Sequence, residues 1–250
     1  AIYGGASGFT FSTHPSNLEL FQYMAEERKD LLSKLNYYIL VPYAQQYVRK
    51  ANVLGTAGLM RTILKDAIKP DKVKLLLPLK LTNLARWLIE SEIEPYLNIL
   101  PRKRVKALLL HEVLTELTIA FNLTELVHSL KEQFEGKGVG FGLETRNIGQ
   151  LQAFLENEDI NVEYVMTPMN PIGYQMAPSK EAAEKAIKKL VFQHNSKVIA
   201  VNVLSSGAST PVESCEYLRR FKEHIYSVAY GTLKPSRAKE NALLLAKHLL

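Results

Sequence analysis

Three side chains with the chemistry for proton transfer to a carbonyl group follow apolar runs of the sequence. Lys80 and His111 each stand at the end of such a run, and Tyr47 lies one helical turn beyond another. A tyrosine, with an ordinary pKa of about 10, can act as a general acid when a nearby ammonium stabilises its phenolate, while a histidine orients the carbonyl. Taken singly, each residue also fits a plain structural role: helix packing for Tyr47, a solvated loop for Lys80, a strand-end hydrogen bond for His111. Together they predict a catalytic group.

A second segment has the composition of a phosphate site. It reads Gly231-Thr232-Leu233-Lys234-Pro235-Ser236-Arg237 and leads into an amphipathic helical pattern. The free backbone N–H groups and the dipole at a helix start attract anions, and the hydroxyl and basic side chains here add donors and charge. An ordinary helix start with proline in the first turn is the alternative interpretation.

The elements that must position these residues alternate between short apolar runs and segments of helical period. The predicted strands are residues 2–3, 37–41, 73–77, 107–110, 138–143, 162–166, 198–203 and 226–229. The predicted helices are residues 18–35, 56–67, 81–94, 123–134, 148–156, 180–193, 211–222 and 235–250. Units of about 30 residues without a linker favour one α/β domain over residues 1–250, a (β/α)8 TIM barrel, over an open doubly wound sheet. The functional residues should then gather where the strands end.

Composition narrows the classes of partner. The net charge of +6 favours anionic ligands such as phosphates. The densest basic run, Arg102-Lys103-Arg104, lacks the interleaved aromatic residues of a single-strand nucleic-acid platform. We therefore expect a small-molecule substrate and no nucleic acid, and the sequence leaves the oligomeric state open.

The cysteine and histidine content bears on metals and compartment. The single cysteine, Cys215, excludes an internal disulfide and a cysteine-based zinc site, and the six histidines show no ligand-like spacing. No apolar run reaches the roughly 18 residues that span a bilayer, and no basic-then-apolar leader is present. We expect no metal, no membrane association and a cytoplasmic location.

Several of these segments resemble the aldo-keto reductase superfamily, NADPH-dependent barrels that reduce aldehydes and ketones. Pro42-Tyr43-Ala44-Gln45-Gln46-Tyr47-Val48, followed by Leu54-Gly55, is similar to the family's Asp-Thr-Ala-x-x-Tyr-Gly and its later Leu-Gly. The family's third strand ends in lysine and its fourth in histidine, as Lys80 and His111 do here. The resemblance implies that Tyr47 is the acid, that Lys80 lowers its pKa and that His111 orients the carbonyl.

The resemblance also implies NADP as cofactor. Residues 142–151 resemble the family's Gly-Val-Ser-Asn segment, whose serine and asparagine hold the nicotinamide carboxamide and correspond to Glu144 and Thr145. Residues 201–207 resemble a Pro-Leu-x-x-Gly segment and add Leu204 and Gly207. Residues 232–241 resemble Ser-x-x-Pro-x-Arg-x-x-Glu-Asn, which implies that Arg237 binds the 2′-phosphate and Asn241 the adenine. The implied cofactor site includes Gly231, Thr232, Leu233 and Lys234.

Departures from the family pattern leave three hypotheses open. Pro42 replaces the catalytic aspartate, Glu144 and Thr145 replace the carboxamide-binding pair, and Met166 stands near a family glutamine. The first hypothesis is a divergent NADP-dependent oxidoreductase acting on an aldehyde or ketone. The second is a redox-inactive barrel that binds a nucleotide or phosphorylated ligand. The third is an enzyme of another class that uses Lys80, His111 and Glu144 on a phosphorylated substrate.

Overall fold

The computed structural model describes residues 1–43 and 81–249, in which parallel strands alternate with helices. The strands are β1 (Gly8–Ser12), β2 (Asn36–Val41), β3 (Val105–Leu110), β4 (Gly140–Glu144), β5 (Tyr164–Pro168), β6 (Lys197–Val201) and β7 (Ser227–Val228). The helices are α1 (Pro15–Glu27), α2 (Lys29–Leu32), α3 (Leu81–Leu97), α4 (Glu112–Ala120), α5 (Thr124–Glu135), α6 (Ile148–Asn157), α7 (Lys180–His194), α8 (Pro211–Arg219) and α9 (Pro235–Leu249). The predicted α/β class with parallel units is confirmed.

These strands form one seven-stranded sheet in which each strand pairs with the next along the chain. Every pairing is parallel, for example Leu108 with Phe141 and Val165 with Val198. The carboxyl ends of parallel strands meet at one edge of the sheet. Residues that directly follow the strands are therefore brought together, as the sequence predicted.

The sheet is curled. Alternate residues of a strand face opposite sides, and on one side Ile39 and Leu108 join the main core beneath the helices. The other side carries a second cluster to which Tyr38 of β2 and Tyr164 of β5 belong, with ring centroids 5.8 Å apart. Two strands lie between β2 and β5, so in a flat sheet the backbones of β2 and β5 would be about 14 Å apart. The buried residues of this inner cluster are Tyr38, Ala107, Leu109, Tyr164, Met166 and Ile199.

The first strand begins later than predicted. Residues Ile2–Gly4 form a 3-10 turn instead of a strand, and this turn ends at Gly5, whose φ of 94° lies in the left-handed region. Strand β1 follows at Gly8–Ser12, and the ring centroid of its Phe11 lies 4.7 Å from the ring centroid of Phe21 in α1. The prediction of a strand at residues 2–3 was wrong because burial of the Phe-Thr-Phe alternation, not the isolated apolar pair, determines which segment joins the sheet.

The neighbours of β2 also differ from the predicted barrel. A closed barrel of eight strands in chain order would place residues 73–77 between β2 and β3, but these two strands pair directly, with Ile39 opposite Leu108. The backbone N–H of His111 extends the pairing by donating to the carbonyl oxygen of Val41 at 2.7 Å. Residues 73–77 themselves lie outside the described residues. The structure therefore supports a curled parallel sheet of barrel type, with seven strands in its described part.

Most helix starts agree with local capping chemistry. Helix α8 begins with a capping box between Thr210 and Glu213, and the side chain of Ser179 caps α7. The predicted helix 18–35 is divided at Arg28 into α1 and α2, and helix α4 was not predicted. None of the described helices is long and apolar enough to cross a membrane.

Candidate functional site

His111 lies where β3 passes into α4, on the side of the sheet that carries the inner cluster, because it continues the alternation of Ala107 and Leu109. Its Nδ1 accepts a hydrogen bond from the backbone N–H of Val113 at 3.3 Å, so the side chain caps α4. Burial lowers the pKa of His111, and the imidazole is neutral at neutral pH. Since Nδ1 accepts a hydrogen bond, the ring proton is assigned to Nε2, which has no acceptor among the described residues.

Glu144, the last residue of β4, is the neighbour of His111 across the sheet. Leu110 pairs with Leu143, so the next residues of the two strands lie side by side. A Cβ at Gly142 would meet Leu109 of the inner cluster, which places Glu144, two residues on, on the same side. The carboxyl oxygen Oε2 accepts a hydrogen bond from the backbone N–H of Glu112 at 3.1 Å.

The environment of Glu144 favours the protonated carboxyl. Burial raises its pKa to about 7, although the hydrogen bond from Glu112 and the charge of Arg146 act in the opposite direction. The guanidinium of Arg146 is bonded to the carboxylate of Glu112, so it does not pair with Glu144. Desolvation therefore outweighs the stabilisation of the anion. A carboxyl group of this pKa can give or take a proton near neutral pH.

Thr145 is fully buried and its hydroxyl is already engaged. It donates to Oε1 of Glu116 in α4 at 2.5 Å and accepts from the backbone N–H of Asn147 at 2.9 Å. The serine–asparagine pair that the resemblance implies for the carboxamide is thus replaced by a desolvated carboxyl at Glu144 and a committed hydroxyl at Thr145. The described residues at this position do not fit the carboxamide in the way that the family pair does.

The predicted phosphate loop is open to solvent. Every residue from Gly231 to Arg237 is exposed, and neither Lys234 nor Arg237 forms an ion pair with a described residue. The hydroxyl of Thr232 accepts a hydrogen bond from the backbone N–H of Lys234 at 3.2 Å, which fixes the loop before α9. This arrangement of accessible cations at a helix start fits a phosphate group.

The structure brings further predicted cofactor residues near this loop. Leu204 and Asn241 line the same small cavity, together with Tyr230, which directly precedes the loop. Gly207 ends a 3-10 turn over Ser205–Gly207 and has a φ of 93°. The segments after β6 and β7 thus lie together, and their binding of the adenosine end of a cofactor stays a prediction.

Two of the predicted catalytic residues, Tyr47 and Lys80, lie outside the described residues and stay predictions. The sequence interpretation did not assign roles to Glu112, Glu116 and Arg146, which surround Glu144 and Thr145. The signal in the sequence was the pair Glu112 and Glu116, which follow the strand-terminal His111 and stand one helical turn apart. In the described part of the chain, no three His, Cys, Asp or Glu side chains could hold a metal ion.

Comparisons with known proteins identify the fold. No family model matches the chain, and no curated protein matches it. It is similar to the structure of a proposed aldo-keto reductase from Pseudomonas aeruginosa, with 14% identity and a TM-score of 0.60 over 98% of this chain and 80% of that one. A second structure of a proposed aldo-keto reductase from that organism gives 14% identity and a TM-score of 0.61 over 98% and 79%. A proposed 2,5-diketo-D-gluconic acid reductase B gives 13% identity and a TM-score of 0.52 over 95% and 72%. The chain therefore has an aldo-keto reductase-like fold.

Proposed function

We propose that this protein is a divergent aldo-keto reductase-like oxidoreductase that reduces an aldehyde or ketone with NADPH. The observation that carries the proposal is His111, a neutral imidazole on the inner side of the sheet, at the carboxyl end of β3, whose Nε2–H has no acceptor among the described residues. Barrel enzymes place their active sites at this edge of the strands. The likeness of fold to proposed aldo-keto reductases supports the same class of reaction.

In this proposal, Nε2–H of His111 donates to the carbonyl oxygen of the substrate. That hydrogen bond orients the carbonyl and stabilises the negative charge that develops on its oxygen. NADPH, when bound, supplies the hydride. Arg237 and Lys234 bind its phosphate groups, and Asn241 contacts the adenine. From the sequence, Tyr47 and Lys80 remain the predicted acid and the residue that lowers its pKa.

The test combines cofactor binding with a screen of aldehydes and ketones. The wild-type protein should bind NADPH, followed by nicotinamide fluorescence, and should oxidise it in the presence of at least one carbonyl compound. His111→Asn keeps an oxygen acceptor for the helix cap, whereas His111→Ala removes it. Both variants should lose about 10²-fold in kcat/KM while keeping the Kd for NADPH. A wild-type protein that binds no NADPH, or reduces no carbonyl, contradicts the proposal.

A redox-inactive barrel that binds a nucleotide or phosphorylated ligand is the second candidate. It is favoured by the engaged hydroxyl of Thr145 and the carboxyl of Glu144, which stand where the family holds the nicotinamide. Under this alternative, NADP⁺ or a nucleotide binds and Arg237→Ala weakens that binding, but no carbonyl is reduced. Activity that is lost in His111→Asn while nucleotide binding persists would rule the alternative out.

A further inference from the structure

Helix α4 is apolar on two sides, although only one side packs against the rest of the protein. Its inner side carries Leu114 and Ile119, which pack against the main core. Its outer side carries Val113, Leu117 and Phe121, which recur every four residues and are 46%, 44% and 70% exposed. Helices that are apolar all round are normally buried. These three exposed residues, here called the α4 face, therefore form an apolar surface that is suited to a further partner.

A groove lies beside the α4 face, between the end of α4 and helix α6. It has a volume of about 330 Å³, and its apolar lining residues are Ile119, Ala153 and Phe154. Phe121 stands in the chain between Ile119 and Asn122, which both line the groove. Asn122 has a φ of 48°, in the left-handed region, and so ends the helix directly after Phe121. An exposed aromatic ring and an apolar groove thus lie next to each other on one surface.

The polar side chains of the groove are suited to contact with copies of themselves. Asn122, Gln150 and Asn157 line it with side-chain amides, and an amide both donates and accepts hydrogen bonds. The amides of Gln150 and Asn157 form no hydrogen bond with a described residue. Glu158 also lines the groove, and its Oε2 accepts a hydrogen bond from the hydroxyl of Thr124 at 2.9 Å. Identical amides can therefore pair across a twofold axis.

Charge favours a second copy of this chain as the partner. Each chain carries a net charge of +6, so two copies repel each other in most orientations. Among the described residues, neither the α4 face nor the groove includes a lysine or an arginine. The two acids of α4 are engaged within the chain, since Glu112 is bonded to Arg146 and Glu116 accepts from Thr145. Two chains can meet at this surface without bringing their cations together.

We propose that the α4 face and the adjacent groove form the interface of a twofold symmetric homodimer. Phe121 of one copy enters the groove of its partner and packs against the partner's Ala153 and the partner's Phe154. A twofold axis makes this contact occur twice, which requires the ring and the groove to share one surface. The cores of homodimer interfaces are rich in aromatic residues and poor in charged ones, as this surface is. The dimer needs neither cofactor binding nor carbonyl reduction.

Sedimentation velocity of the full chain measures the association. The wild type should pass from monomer to dimer as its concentration rises from about 1 μM to about 1 mM. Phe121→Ser should raise the dimer Kd at least about 10²-fold, because each dimer loses two buried rings at about tenfold apiece. Phe192→Ser, which removes another exposed ring on α7, should match the wild type. A wild type that stays monomeric, its α4 face then left to a different protein, or a dimer that Phe121→Ser leaves intact, overturns the proposal.

A second variant blocks the groove and keeps the ring. Ala153→Arg should also weaken the dimer, whereas Gln193→Arg, which adds the same charge at an exposed position of α7, should not. An equimolar mixture of Phe121→Ser and Ala153→Arg should associate more tightly than either variant alone, because the mixed dimer keeps one intact pair of ring and groove. Far-UV circular dichroism should show the wild-type fold in every variant. A mixture that associates no better than its components would refute the twofold arrangement.

Discussion

Replacing Glu144 with glutamine should stabilise the folded protein at alkaline pH and have little effect at acid pH. Burial raises the pKa of Glu144 from 4.5 to about 7 in the folded state. Between these two values, the folded protein holds a proton that the unfolded chain has lost, so stability falls as pH rises through this window. Above the folded-state pKa, the full cost of a buried carboxylate is present. Glutamine is neutral at every pH and carries no such cost.

The size of the stabilisation in Glu144→Gln follows from the shift in the pKa of Glu144. About 2.5 pKa units at about 1.36 kcal/mol each amount to about 3.4 kcal/mol. Because Oε1 of Glu144 is not sealed from solvent, screening reduces this figure, and we expect a gain of about 2–3 kcal/mol at about pH 8. At about pH 5 the gain should be below about 1 kcal/mol, since most of the linked titration has not yet occurred. Glutamine keeps the volume and the acceptor for the N–H of Glu112, so no cavity forms.

Urea unfolding at about pH 5 and about pH 8 measures both values. Glu144→Gln should gain stability over the wild type chiefly at the higher pH. Glu216→Gln, which replaces an exposed carboxylate, should show no such pH-dependent difference. Equal free energies of unfolding for Glu144→Gln and the wild type at the higher pH would refute the argument that burial controls this carboxyl.

Three other outcomes are expected. His111→Ala should lower the free energy of unfolding by about 1 kcal/mol and His111→Asn by less, because asparagine still caps α4; equal losses in urea unfolding would contradict the capping role. Arg237→Ala should raise the Kd for NADPH at least about tenfold, through loss of a charge-assisted phosphate contact, and leave the Kd for NADH nearly unchanged; an equal effect in fluorescence titrations of both cofactors would argue against a 2′-phosphate contact. Gly142→Ala should cost about 1–3 kcal/mol by thermal unfolding because its Cβ would lie 2.5 Å from Leu109, whereas Gly149→Ala meets only Pro178 at 3.5 Å and should not destabilise the protein.

Much of the fold was predictable because local chemistry and burial agree. The apolar runs at residues 107–110 and 162–166 overlap β3 and β5, and the helix predicted at residues 180–193 is one residue shorter than α7. In these segments, the side-chain period, the caps and the packing favour the same structure. The disagreements lie where local signals are weak. Residues 2–3 offered too short an apolar pair to identify a strand, and α4 follows a histidine that was assigned only to the preceding strand.

The candidate site also has a part that the sequence determined and a part that only the tertiary structure decided. By itself, the sequence determined that His111 and Glu144 would end neighbouring strands, because the short apolar runs of parallel β/α units locate strand ends without knowledge of packing. It also identified the exposed basic loop before α9 from its composition. Only the tertiary structure decided which atoms those residues present: the N–H of Val113 assigns the imidazole proton to Nε2 of His111, and burial beside the inner cluster raises the pKa of Glu144 to about 7. The environment of Glu144 depends on groups distant in the sequence, the N–H of Glu112 and the ion pair between Glu112 and Arg146, and no local pattern encodes them.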